Sequence, residues 1–239
     1  MPQRRLLHLA VLAALLLTFT LSVHAADYAE LDALILTKDV SKIQSAIDGL
    51  KELLGQNPDD GEALWLLSKA YLYLGDRTEE GRLKVFETGK KYADQAVETV
   101  PDNPHAHYWL SALLGRIGQT RGILSSLSMV RPMKEALDRV LELDENYAAA
   151  YWVLSQLYQQ APGFPLSIGN KKLALENARR AVELAPEDLE FQLQLAKALE
   201  HNGQKAEAKA VLEEIRSNPR LKDDSDLQKE AEELHAKWQ

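Results

Sequence analysis

The sequence contains no cysteine. That absence excludes disulfides, thiol nucleophiles, Cys-ligated zinc, iron–sulfur clusters and lipid attachment through an N-terminal cysteine. Glycine and proline are scarce, with 12 and 9 in 239 residues. Breakers of regular structure are therefore few, and an excess of Ala, Leu, Glu and Lys favours helix. Positive charge is in the minority: 28 Lys and Arg stand against 36 Asp and Glu, for a formal net charge of −8. A basic face that would release counterions from a phosphate backbone is not expected, so nucleic acid is excluded as a partner. Beyond the first 25 residues no run is long and apolar enough to cross a bilayer. The balance of 46% hydrophobic and 27% charged residues is that of a globular chain, not a disordered one.

The first 25 residues stand apart. Arg4 and Arg5 precede an almost wholly apolar run that begins at Leu6 and keeps its character to Val23. Val23-His24-Ala25 then offers small residues at the −3 and −1 positions of a cleavage site. This is the pattern of a secretory signal peptide over 1–25, cut before Ala26. The alternative is an uncleaved N-terminal anchor, because the run approaches the roughly 17–18 residues a span requires. The expectation is an exported protein, soluble in a bacterial periplasm, whose remaining residues 26–239 form one helical repeat domain.

Those residues repeat. Glu62-Ala63-Leu64-Trp65-Leu66-Leu67-Ser68, His105-Ala106-His107-Tyr108-Trp109-Leu110-Ser111 and Ala149-Ala150-Tyr151-Trp152-Val153-Leu154-Ser155 share one pattern of alanine, aromatic, leucine and serine. A looser copy runs from Glu190 to Leu199. Each copy is followed by a second amphipathic stretch, with ends such as Ala93 to Pro101, Leu137 to Asp144 and Ala178 to Pro186. Apolar residues every three or four positions place one stripe on each helix. Proline then stops the helix, and an Asp/Asn-rich turn caps the next. The reading is an all-α, tetratricopeptide-like solenoid of helical hairpins, a right-handed superhelix with extended insertions between the helices. Its parts are a half-repeat over 31–58, repeats over about 60–101, 103–145, 147–186 and 188–219, and a capping helix over 225–238. Ser68, Ser111, Ser155 and Ala196 fall where two helices approach closely. The first three repeats exceed the ordinary length by roughly seven to ten residues, which places their insertions along one edge. Ser225 and Gln228 have the spacing of a capping box, and Leu227, Ala231, Leu234 and Trp238 share the face that covers the end of the stack.

The insertions carry a more specific signal. The stretch from His107 through Gly115-Arg116-Ile117-Gly118-Gln119-Thr120-Arg121-Gly122 and Leu124 to Leu137, with Ala161 to Lys172, resembles the T-component proteins of tripartite ATP-independent periplasmic (TRAP) transporters. It is also similar to the repeat domain of the regulator-of-microtubule-dynamics family. The resemblance covers about residues 40 to 238. It implies an accessory protein that associates with a periplasmic solute-binding protein and oligomerises around a channel for hydrophobic ligand. The lipoprotein members of the T-component family attach through an N-terminal cysteine, which this chain lacks.

No chemistry-bearing constellation appears. His105 and His107 point to different faces of a helix, whereas helical metal ligands want i, i+4 spacing, so no metal is expected. Gly-x-Ser-x-Gly and Gly-rich phosphate loops are absent. Glu79-Glu80, Asp223-Asp224 and Glu232-Glu233 lie in solvated stretches. The expectation is a protein that is not an enzyme and needs no cofactor. The best functional signal is an aromatic column. Trp65, Tyr108 and Trp152 recur at the position that faces a concave groove, with Leu67, Leu110 and Leu154 as core. Further turns of the first helices bring Lys69, Gln156 and Lys197, then Tyr73 and Arg116. Such a groove suits an extended peptide, a partner helix or a small apolar ligand with an acid group. The competing reading is that the aromatics pack against the neighbouring repeat. In Ala161 to Lys172, Phe164 and Leu166 are either contacts for a docked partner or plugs between repeats three and four. Plugging is favoured, because exposure of two large apolar side chains is costly. The functional expectation is a periplasmic binding or scaffold protein of the T-component type, with a homo-oligomer left open. Its alternatives are a general scaffold in envelope assembly and a carrier of a small apolar ligand.

Overall fold

The computed structural model describes residues 28–239; the expected signal peptide over 1–25 lies outside them. A short helix, α1, covers 28–36. It is followed by α2 (Val40–Gln56), α3 (Gly61–Asp76), α4 (Arg82–Thr99), α5 (Pro104–Arg121), α6 (Ile123–Leu143), α7 (Ala148–Gln160), α8 (Lys171–Leu184), α9 (Leu189–His201) and α10 (Lys205–Ser217). A 3-10 turn, Pro219–Asp223, leads into α11 (Ser225–Trp238). The described residues are all-α, and consecutive helices pair as hairpins. They group into two compact units, one ending at Pro101 and the other running from Asp102 to Gln239.

In the first unit, the segment expected as half a repeat holds two helices, α1 and α2. Ile35 of α1 and Ile43, Ala46, Ile47 and Leu50 of α2 are buried, as are Leu64 and Leu67 of α3. Asp39 and Asp60 cap α2 and α3, each accepting backbone N–H groups of the first turn. The Tyr28 hydroxyl donates to Asp60, tying α1 to the start of α3.

In the second unit, α5/α6, α7/α8 and α9/α10 are successive hairpins and α11 packs on the last of them. Asn103 and Asp188 cap α5 and α9. The repeated small residues are fully buried, as their pattern requires. Their hydroxyls are satisfied in three different ways: Ser68 donates to the Leu64 carbonyl, Ser111 to the Met133 carbonyl across its hairpin, and Ser155 accepts from Gln194 of α9.

Two local expectations are corrected. The extra length of the second repeat is not a loop. It lengthens α5 and α6, and Gly122 alone joins them, at a φ of 100° that a side chain would strain. The α11 cap is Asp224, whose carboxylate accepts from the Asp226 and Leu227 amides, so Ser225 is already helical; an ionised carboxylate displaces the neighbouring hydroxyl as acceptor. His235 of α11 places Nδ1 2.8 Å from Glu213 Oε1 on α10. The covering role of α11 holds: Leu227 and Ala231 are buried, and Leu234 and Trp238 pack beside them against Leu189, Leu193, Leu212 and Ile215.

Candidate functional site

In the first unit, Trp65 is 8% exposed, and its indole N–H donates to Glu62 of the same helix at 2.9 Å. Lys69 is buried one turn further on and donates to Asp32 of α1 at 2.6 Å. The expected positive group of a groove is therefore half of an internal ion pair that joins α3 to α1. Tyr73 is half-buried, with the Arg77 guanidinium 5.9 Å from its ring centroid.

In the second unit, Tyr108 is also 8% exposed. It belongs to one cluster with Leu137 and Val140 of α6 and with Ala150 and Leu154 of α7. Its ring centroid lies 5.2 Å from that of Tyr147, at the start of the next hairpin, and 4.9 Å from that of Trp109. The side chain is packing between repeats and offers almost no surface to a ligand. Leu110, expected in the core, is only half-buried.

Trp152 differs. It is half-buried and lies over Phe191 of α9, with centroids 5.8 Å apart. Gln156, one turn along α7, is half-buried as well. Lys197, on α9, donates to Glu230 of α11 at 2.5 Å and keeps a quarter of its side-chain surface in solvent. Arg116 is half-buried and donates to Gln119 at 3.4 Å. Of the residues expected in the groove, those of α7 and α9 in this unit retain contactable surface on neighbouring helices; Trp65 and Tyr108 do not. Beneath them a polar seam missed by sequence reasoning joins α7 to α9: Gln194 donates to Ser155 at 2.9 Å and to Gln159 at 2.7 Å.

The loop over 161–170 reverses the favoured expectation. Phe164 is 93% exposed and Leu166 81%; neither plugs a gap between repeats. The loop is closed by its own backbone. Gly169 N–H donates to the Pro162 carbonyl at 2.8 Å, Asn170 N–H to Tyr158 at 2.9 Å, and Leu166 N–H to Gly163 at 3.1 Å. A Cβ on Gly169 would stand 2.0 Å from the Ala161 carbonyl oxygen, so only glycine permits that closure. With these bonds made, the loop needs no apolar anchor, and its tip points into solvent.

Burial, aided by the charge of Asp144, pushes the Tyr147 hydroxyl above its ordinary range. The hydrogen bond to Asp138 raises Lys134, and that to Tyr71 raises Lys51. Among the described residues no group of three or more His, Asp or Glu is placed to hold a metal ion, and no helix is long and apolar enough to cross a membrane.

Capped hairpins with buried small residues at the helix crossings define a tetratricopeptide-type repeat protein. A tetratricopeptide repeat model matches residues 166–221. The model described as Regulator of microtubule dynamics protein 1-3 matches residues 27–160, more than half of the chain. The chain belongs to that family. Regulator of microtubule dynamics protein 3 of Mus musculus is 25% identical over 189 residues, covering 72% of this chain and 40% of that protein. The chain thus spans well under half the length of that relative. Among solved structures, a thermophilic tetratricopeptide protein of Thermus thermophilus superposes with a TM-score of 0.67 at 16% identity, over 87% of this chain and 97% of that one. YrrB, described as a tetratricopeptide protein with an unusual peptide-binding site, superposes with a TM-score of 0.50 at 17% identity, over 85% and 88%. The microtubule-regulator half of the sequence resemblance therefore holds, while the transporter T-component half gains no support from these matches.

Proposed function

We propose that the chain is a non-enzymatic binding scaffold that takes an extended protein segment along the first-helix face of its second unit. The observation that carries this reading is the half-exposed pairing of Trp152 with Phe191, with Gln156 and Lys197 on the same two helices. An aromatic surface supplies contact area at small entropic cost, an amide can pair with a peptide backbone, and an ammonium steers acidic residues. The peptide-binding site described for YrrB supports a peptide as the class of ligand. In its fuller form the proposal has the chain exported through residues 1–25, acting in a periplasm, and engaging a solute-binding protein as transporter T-components do. A small apolar ligand, or a second copy, is the competing occupant of the same face.

Selection of displayed peptides against residues 26–239 tests the reading. Bound sequences should share an apolar-acidic pattern, and Trp152→Ala and Gln156→Ala should each weaken the selected peptide tenfold or more. Failure to select any peptide, or binding by both variants equal to that of the parent, overturns it.

A further inference from the structure

Six large apolar side chains of the described residues stand conspicuously exposed, and four of them sit at two turns of the second unit. Ile123 and Leu124, 82% and 84% exposed, open α6 immediately after Gly122; Phe164 and Leu166 form the tip of the α7–α8 loop. Both turns join the first helix of a hairpin to the second. Because α5 and α7 begin their hairpins in the same sense, and Tyr108 of α5 packs against Ala150 and Leu154 of α7, the two turns lie on one edge.

The charge of that edge is opposite to that of the chain. No acidic residue occurs between Asp102 and Glu135, or between Glu145 and Glu176, in a protein of net charge −8. The exposed cationic residues Arg121, Lys171 and Lys172 flank the apolar tips. The N-terminal ends of α6 and α8, each carrying partial positive charge, begin at the same turns. The corresponding turn of the first unit, between α3 and α4, instead exposes Glu79 and Glu80 and no large apolar side chain.

We propose that this edge docks on an anionic bilayer surface, Ile123, Leu124, Phe164 and Leu166 entering the headgroup region while Arg121, Lys171 and Lys172 face lipid phosphates. Three features select this occupant. Apolar tips ringed by Lys and Arg match the two forces of interfacial binding, burial of apolar area and attraction to anionic lipid. The tips project from turns, which fits a broad deformable surface and not a helix seated in a groove. A second copy meeting the first through this edge would oppose like charges at short range, which disfavours self-association.

Residues 26–239, which retain every described residue, are sedimented with vesicles of phosphatidylcholine alone and of phosphatidylcholine with phosphatidylglycerol. Binding to the phosphatidylglycerol vesicles should be at least tenfold tighter than to phosphatidylcholine and should weaken as salt screens the charges. Replacing Ile123, Leu124, Phe164 and Leu166 together by serine should lower it tenfold or more while the melting temperature stays that of the parent. Lys171→Glu with Lys172→Glu should lower it comparably without touching an apolar residue. Absence of sedimentation with phosphatidylglycerol vesicles at low salt, or binding by both sets of variants equal to that of the parent, overturns the proposal. So does a parent that is dimeric in solution and becomes monomeric in the serine variant, which would make the edge an interface between copies.

Discussion

Tyr108→Ala separates packing from binding in the aromatic column. The ring is 8% exposed and lies among Leu137, Val140, Ala150 and Leu154. Truncating a large buried aromatic removes its transfer free energy and leaves a cavity, together about 3–5 kcal/mol. The tilted contact with Tyr147 and the edge contact with Trp109 add roughly 0.5–1.5 kcal/mol per ring pair to what a purely aliphatic site would lose. For a domain of this length each kcal/mol moves the melting temperature by about 2–4 °C, so a fall of roughly 6–20 °C is expected. Tyr108→Phe keeps the ring and should cost about 1 kcal/mol or less. Trp152→Ala, at a half-buried site against Phe191, should fall between them at about 1–2 kcal/mol. The assay is thermal unfolding followed by circular dichroism and by tryptophan fluorescence. Three of the four tryptophans, Trp109, Trp152 and Trp238, report on the second unit, which matters because repeat arrays need not melt in one step. A Tyr108→Ala melt within about 2 °C of the parent would show that the ring is not packed between repeats.

Deleting residues 221–239 removes buried Leu221, Leu227 and Ala231 and bares Leu189, Leu193, Leu212 and Ile215; the melting temperature or solubility should drop, and an unchanged pair of values would deny α11 its capping role. Tyr147→Phe tests alkaline stability. The folded Tyr147 pKa is raised, so this residue's contribution is complete below the unfolded value near pH 10 and declines above it by up to about 1.4 kcal/mol per pH unit. The variant should lose less stability than the parent over that window, and parallel declines refute the assignment. Gly169→Ala should open the base of the 161–170 loop, whose closure leaves 2.0 Å for the added carbon, so limited proteolysis should cut there faster than in the parent. For the segment outside the described residues, N-terminal sequencing after export should read from Ala26, whereas full-length protein in the membrane fraction would identify an anchor.

The elements that sequence made legible are those fixed by local rules. Asp60, Asn103 and Asp188 announce helix starts because a short polar side chain can accept the free amides of a first turn. Ser68, Ser111, Ser155 and Ala196 announce helix crossings because small side chains let two helices approach closely, and all four are fully buried. What escaped depends on contacts between elements distant in sequence. Tyr108 and Trp152 occupy the same repeat position, yet one meets Tyr147 and the cluster around Leu137 while the other meets Phe191; no periodicity distinguishes them. Lys69 reads as a groove cation until Asp32, 37 residues earlier, is placed beside it. Likewise, an insertion of given length can become a loop or extra helical turns. Gly122 permits an abrupt reversal and lets α5 and α6 grow, whereas Pro162 and Pro165 forbid helix across 161–170.

The misjudged burial of Phe164 and Leu166 follows from treating apolar exposure as a cost that a loop must avoid. A loop must first satisfy its backbone polar groups, and here Gly169, Asn170 and Leu166 do so with acceptors of the same segment and of Tyr158. Once that closure is made, the direction of the tip is set, and no further force draws the side chains inward. Full burial of a residue of this size is worth about 1.5–3 kcal/mol. Leaving Ile123, Leu124, Phe164 and Leu166 in solvent therefore forgoes an amount comparable with the roughly 5–15 kcal/mol that separates folded from unfolded states. Serine at all four positions would leave every described hydrogen bond of these turns in place, since the bonds are made by the backbone. The large apolar groups thus serve no role in closing the turns, and their presence is accounted for by a surface that covers them.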